Sequence, residues 1–310
     1  MKTFLKVVGI IIVLLIVAIF TVPIIFKDKL VQIAKDETNK ALNAKVDFGD
    51  FGISLISSFP DFQLNMKDLT VSGIDEFEGV NLAKIKDLSL VLDVMSVIRG
   101  ETIELKSIIL KEPTVYAQVL ENGKANWDIA KASADTTVAE TPADTSSGFK
   151  MNLEKIEIKD GLVIYDDASM PMFMLLEGLN LHVKGDLQDN ITSLLAKGKI
   201  DKVNFEFDGM EYLSEAVVAL DVNMKMDMDN MKFVFEENEL LINRLPLAFD
   251  GWLAMPEEAI DMDLTLASKD TDFKTILSLV PAAFAKDLEG VETKGDVAFS
   301  GYAKGTFLDS

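Results

Sequence analysis

Residues Leu220 to Asn230, "LDVNMKMDMDN", alternate with almost no error. Leu220, Val222, Met224, Met226 and Met228 fall on one parity, and Asp221, Asn223, Lys225, Asp227 and Asp229 on the other. Period 2 is the mark of a β-strand, because successive side chains point to opposite faces. One face is wet and the other is apolar. Five such side chains are worth roughly 1.5–3 kcal/mol each on burial, so leaving the row in water would forgo ~10 kcal/mol. Something apolar covers it, either a second sheet of the same protein or a lipid.

The same reading extends along most of the chain. "KIKDLSLVLDV" sets Leu88, Leu90, Leu92 and Val94 on one side, and "TIELKSIILKEPTVYAQVL" follows as further strand. "LEKIEIKDGLVIYDD" reads as strand, Asp-Gly turn, strand. Alternation continues at 173–183, 203–207, 217–228, 231–235, 240–247 and 260–266, with Met262 and Leu264 on the apolar parity of "IDMDLTL". "SIILKEPTVY" and "KIEIKDGLVI" echo each other at an offset of 48 (156 − 108), pairing Ile108 with Ile156, Leu110 with Ile158, Lys111 with Lys159, Glu112 with Asp160 and Val115 with Val163. This suggests one strand-turn-strand unit used twice. The fold class is mainly β, with few and short helices.

Four regions follow. Residues 1–26 hold Val7 to Phe26, twenty residues without a charge. As a helix these span ~30 Å, so the segment is expected to be a transmembrane anchor rather than a cleaved leader. Lysines flank it on both sides (Lys2, Lys6; Lys27, Lys29, Lys35), so charge leaves its orientation open. Residues 27–132 begin with Leu30, Ile33, Ala34, Ala41 and Leu42 at helical spacing, a short amphipathic helix before a β module. Residues 133–148, small and polar, read as a flexible linker or loop. Residues 149–310 form a second β module with one helix near 271–288, where Thr271 or Asp272 is the expected cap.

Composition excludes much chemistry. Lys+Arg of 30 against Asp+Glu of 51 leaves −21, which is the wrong sign for a nucleic-acid partner. With no cysteine there is no thiol catalysis or thiolate metal site, and His182 is the one histidine. His182 alternates with Leu181 and Val183, as a solvent-facing strand residue does. Asp166-Asp167, Glu236-Glu237 and Glu257-Glu258 sit at turn-like places, where capping is the usual role of a carboxylate pair. No cofactor or metal is expected, and no enzyme.

"SSFPDFQLNMKDLTVSG" (57–73) with Pro60 and "IELKSIILKEPTVYAQVLENGKANWDI" (103–129) with Pro113, Gly123, Asn126 and Trp127 resemble the front of AsmA-family envelope proteins. "LLINRLPLAFDGWLAMPEE" and "DFKTILSLVPAAFAKDLEGVETKGDVAFSGYAKGTF" are similar to the continuation of long AsmA-like chains. Gly123 fits a turn, Asn126 fits the cap of a short "WDIAKA" helix, and Trp127 fits a plug at a sheet edge. The resemblance implies an inner-membrane anchor with the bulk of the chain in the periplasm of a Gram-negative envelope. It further implies a long, twisted, mostly antiparallel sheet curled into an apolar groove, as in bridge-like lipid-transfer proteins. About fourteen strands at ~4.8 Å would run roughly 65 Å. Members of this kind are generally longer, so the chain is expected to be the front part of a larger architecture.

On this reading Leu220, Val222, Met224, Met226, Met228, Met262 and Leu264 are the candidate lipid-groove residues. The expected partners are phospholipids, the inner membrane and an envelope or outer-membrane protein. The expected function is support of phospholipid transport or lipid homeostasis between inner and outer membranes. An assembly factor for outer-membrane β-barrels and a structural envelope tether are the alternatives.

Overall fold

The computed structural model describes residues 32, 35, 36, 38–54, 58–99, 103–131, 149–185, 191–255, 259–268, 271–277, 279 and 294–308. The expected anchor at 1–26 and the linker at 133–148 lie outside them, as does most of the expected helix at 271–288. Among the described residues no helix is long and apolar enough to cross a membrane.

The strands are β1 (Lys45–Asp47), β2 (Phe51–Ser54), β3 (Phe62–Ser72), β4 (Asn81–Leu92), β5 (Ile103–Val119), β6 (Phe149–Asp167), β7 (Met172–Gly185), β8 (Ile191–Phe207), β9 (Met210–Asp227), β10 (Lys232–Ile242), β11 (Leu245–Ala254), β12 (Ala259–Ser268), β13 (Thr271–Asp272), β14 (Asp296–Val297) and β15 (Ser300–Leu308). Among the short helical segments of the described residues are α1 (Val94–Arg99) and α2 (Phe273–Leu277), and the Asp272 carboxylate accepts the Lys274 N–H at the start of α2. All strands but β13 and β14 join one 13-stranded sheet in the order β1-β3-β4-β5-β6-β7-β8-β9-β10-β11-β12-β15, with β2 also on β3. At ~4.8 Å per strand this path is about 50 Å long.

Every pair in that sheet is antiparallel except β5 with β6. The sheet therefore passes unbroken from the residues before 132 to those after 149. The parallel register accounts for the internal echo: Ile108 faces Ile156, Leu110 faces Ile158, Lys111 faces Lys159 and Val115 faces Val163. The two similar segments are direct neighbours at their own offset, which puts like side chains in line on both faces.

The expected Asp-Gly turn is corrected here. A two-residue hairpin turn of that type needs φ > 0 at both central residues. Asp160 has φ 52, Gly161 is not left-handed, and β6 runs straight through as nineteen residues. Asp160 marks a bulge against β7, and Glu112 (φ 47), its neighbour in β5 just before Pro113, is left-handed as well although the ladders of β5 keep their register there. Glu215 (φ 47) and Glu237 (φ 57) repeat the device in β9 and β10. Left-handed non-glycine residues cost of order 1 kcal/mol or more, and a neighbouring strand offsets that by accepting the displaced N–H. Asp160 N donates to Asn180 Oδ1 (3.2 Å), Glu215 N to Asn204 Oδ1 (2.6 Å) and Glu237 N to Asp250 Oδ1 (2.6 Å).

Each bulge reverses the phase of its strand, so apolar side chains three or five apart return to the same face. Ile158 and Val163, Leu176 and Leu179, Ile200 and Val203, and Leu213 and Ala216 join one cluster despite their opposite parities. Aligned bulges add twist and bend, and the sheet is curled. Leu179, Val203 and Ala216 are buried, Ala216 to 1% exposure, although no second sheet of comparable size packs on them among the described residues.

The front edge of the sheet is closed. Residues 38–41 are helical, and the Asn39 side chain accepts Val46 N–H (2.7 Å) while donating to Val46 C=O (3.0 Å), occupying the outer edge of β1. Among the described residues β15 pairs with β12 and on no other side.

Candidate functional site

Register places six of the seven groove candidates on one face, Met228 being the exception. Met226 faces Phe233, which faces Leu253, which faces Met262. Met224, Phe235, Gly251 and Leu264 form the next row. Leu220 joins Leu240 and Leu247 on one side and Gly198, Leu181, Ile158 and Leu110 on the other, a row crossing seven strands. Val222 faces Ala196 between these rows, and Met228 lies in the turn after β9, 46% exposed. Leu220, Val222, Met224, Met226, Met262 and Leu264 are all half-buried, so their neighbours in the sheet cover them in part and leave the rest open.

Two hollows follow the seven-strand row and meet at Leu220. One of about 470 Å³ touches Ile158, Leu181 and Gly198 and also the polar residues beside them, Glu157, His182 and Lys197 among them, and one of about 370 Å³ touches Leu240 and Leu247. Methionine suits such a surface because its unbranched, polarizable chain adapts to irregular neighbours. Phe233, Phe235, Phe249 and Leu253 extend it and were not singled out from sequence. Their signal was present, since 231–235 and 240–247 alternate, but the phase change at Glu236-Glu237 hides which parities belong together.

The opposite face is charged and cross-braced. Lys197 pairs with Asp221 (2.6 Å), Lys225 with Glu236 (2.7 Å) and Lys304 with Asp263 (2.7 Å). His182 stands there between Glu157 and Lys197 in register. Glu157 is held from both sides by Lys155 (2.8 Å) and Lys159 (3.0 Å), and those ammonium groups lower its carboxyl to about 2. A depressed carboxylate contributes stability that is present above its unfolded value near 4.5 and lost as pH falls through about 2. The urea midpoint is therefore expected to drop between pH 5 and pH 2, and Glu157→Gln to flatten that drop. Equal slopes in the two proteins would refute the assignment.

The structural residues sit as follows. Gly123 has φ 79 in the turn between Leu120 and Lys124. Asn126 caps no helix, because the residues after it form none up to Lys131. Instead its buried side chain accepts Gln118 N–H (2.9 Å) and donates to Tyr116 C=O (2.7 Å), standing in for a strand beside β5. Asn126→Ala would strand both backbone groups and is expected to cost about 2–4 kcal/mol in denaturant unfolding; a loss below about 0.5 kcal/mol would refute that role. Trp127 stacks on Tyr165 with ring centroids 6.0 Å apart, on the apolar side. Pro113 is buried against Gly161, and Pro60 lies in the exposed turn before β3.

The carboxylate pairs are capping and bracing groups. Asp166 accepts Tyr116 O–H (2.8 Å), and Asp167 accepts from Ser169 and Met170 N–H. Ser169, through its hydroxyl above all, holds the Asp167 carboxyl below its ordinary value. Glu257-Glu258 lies outside the described residues. Among the described residues no group of His, Asp and Glu is placed to hold a metal. A model of the AsmA family matches residues 1–245. No curated protein matches the chain.

Proposed function

The chain belongs to the AsmA family, and from that premise we propose that it is a membrane-anchored periplasmic protein whose apolar sheet face is a groove for phospholipid, supporting lipid movement between inner and outer membranes. The observation that carries this reading is the long, half-open apolar face, Met-rich at its far end and bounded behind by ion pairs. Each methylene exposed to water costs ~0.8 kcal/mol, so a sixteen-carbon chain leaving a bilayer faces on the order of 10 kcal/mol. A continuous apolar face removes much of that barrier while headgroups stay in solvent. No chemical reaction is part of this reading, and the uncharged stretch at 7–26 would supply the inner-membrane anchor.

A photoreactive residue at Met226 or Leu264, in native membranes, is expected to capture phospholipid, and one at Thr265 on the outer face is not. Only internal protein adducts at the first two positions would mean that the methionines simply close a core. The far side of β15, unpaired among the described residues, favours a second reading, an assembly factor that holds outer-membrane β-strands by edge pairing. That reading predicts crosslinks from Tyr302 or Lys304 to nascent outer-membrane proteins.

A further inference from the structure

Asn238 is a polar residue in the middle of the apolar face. It faces Phe249 in register, between the row of Leu220 and Leu240 and the row of Met224 and Phe235. Its exposure is 1%. Its Oδ1 accepts the Asn223 N–H (2.5 Å), replacing the acceptor that the Glu236-Glu237 bulge removes from the ladder. Its Nδ2 has no partner. Other buried polar side chains on that face are engaged: Asp167 with Ser169 and Met170, and Ser268 with Phe299 N–H. A buried amide donor without an acceptor is costly, and each such group calls for a partner.

We propose that Asn238 Nδ2 is a hydrogen-bond donor for the ester carbonyl of an acyl lipid lying in the groove. The inference rests on the lipid-groove reading and adds a specificity element to it. A lipid crossing this face presents hydrocarbon along most of its length and strong acceptors at the glycerol esters. The amide meets that need in the one stretch where the floor is otherwise Leu, Phe and Met. Phe249, opposite Asn238 in register and with its ring 5.7 Å from that of Phe235, is the side chain that the carbonyl would have to displace. The carboxamide thus serves two partners, the Asn223 N–H through Oδ1 and the lipid through Nδ2.

The test loads the delipidated full-length protein with an equimolar mixture of diacyl phosphatidylethanolamine and its dialkyl ether analogue of equal chain length. The bound ratio is read by mass spectrometry. Wild type is expected to favour the ester lipid about fivefold, the worth of one net hydrogen bond. Asn238→Leu and Asn238→Met both remove the donor, together with the acceptor for Asn223; circular dichroism verifies the fold, and each folded variant is expected to bind the two lipids equally. Equal binding by wild type overturns the inference while leaving the groove intact, since both lipids are still held. Ester preference that persists in either folded variant overturns it too. Failure to bind either lipid overturns the groove reading itself.

Discussion

Met226→Arg is expected to lower phospholipid occupancy on the order of a hundredfold, while Thr265→Arg leaves it within about twofold. Met226 lies in the row with Phe233, Leu253 and Met262, half-buried on the apolar face. A guanidinium placed among acyl chains costs roughly 2.5–3.5 kcal/mol, which converts to that factor. Thr265 is exposed on the outer face between Asp250 and Tyr302, so an arginine there stays solvated. Asp227, the charged neighbour of Met226, is the wrong control. Its carboxylate accepts both the backbone N–H (3.1 Å) and the side-chain amide (2.7 Å) of Asn230, chiefly the latter holding its carboxyl below the ordinary value, so arginine would disrupt the β9-β10 turn. Lipid recovered with each purified variant decides the matter. Equal losses at Met226 and Thr265 would refute the assignment of faces.

Gly251→Ala is expected to cost about 3–5 kcal/mol and to release β12 and β15 from the sheet. Gly251 has φ 126, and a Cβ there would lie 2.0 Å from the Asp263 carbonyl oxygen and 2.9 Å from Leu264 Cα. Both are backbone atoms of the paired strand, so no side-chain rotation relieves the clash. β11 and β12 would have to separate at the centre of their ladder, and β15 holds to the main sheet through β12 alone. Hydrogen exchange over 259–268 and 300–308 should become fast while β3 to β9 stays protected. Gly209→Ala is the contrast: its φ is 72 but nothing lies within 4 Å, so only the backbone term of about 1 kcal/mol applies. Unchanged protection of β12 in Gly251→Ala would refute the close approach.

Much of the apolar face was legible in the chain because side-chain parity within a strand is a local property. Leu220, Val222, Met224 and Met226 share a face in any straight strand, and they do so here. The same rule failed at the bulges. "KIEIKDGLVI" contains a dipeptide that serves equally as a hairpin turn or as one left-handed residue in a continuous strand. The choice fell to the partners on either side, Asn180 and the parallel β5. Asn126 reads from its neighbours as a helix cap, whereas two backbone groups of β5, eight and ten residues earlier, claim its amide.

Asn238 shows the limit most sharply. In "VFEENELLI" it reads as one polar residue among several, and only the bulge at Glu236-Glu237 turns it onto the apolar face, where Phe249 lies across from it. The chain by itself determined that it would be mainly β, which residues share a face between one bulge and the next, and that one face would be oily and the other charged, because period 2 and composition need no distant partner. Tertiary structure alone decided the order of the strands, the parallel join of β5 and β6, the alignment of the bulges that curls the sheet, and the closing over of Asn238. Those depend on hydrogen bonds between strands whose pairing no single segment specifies.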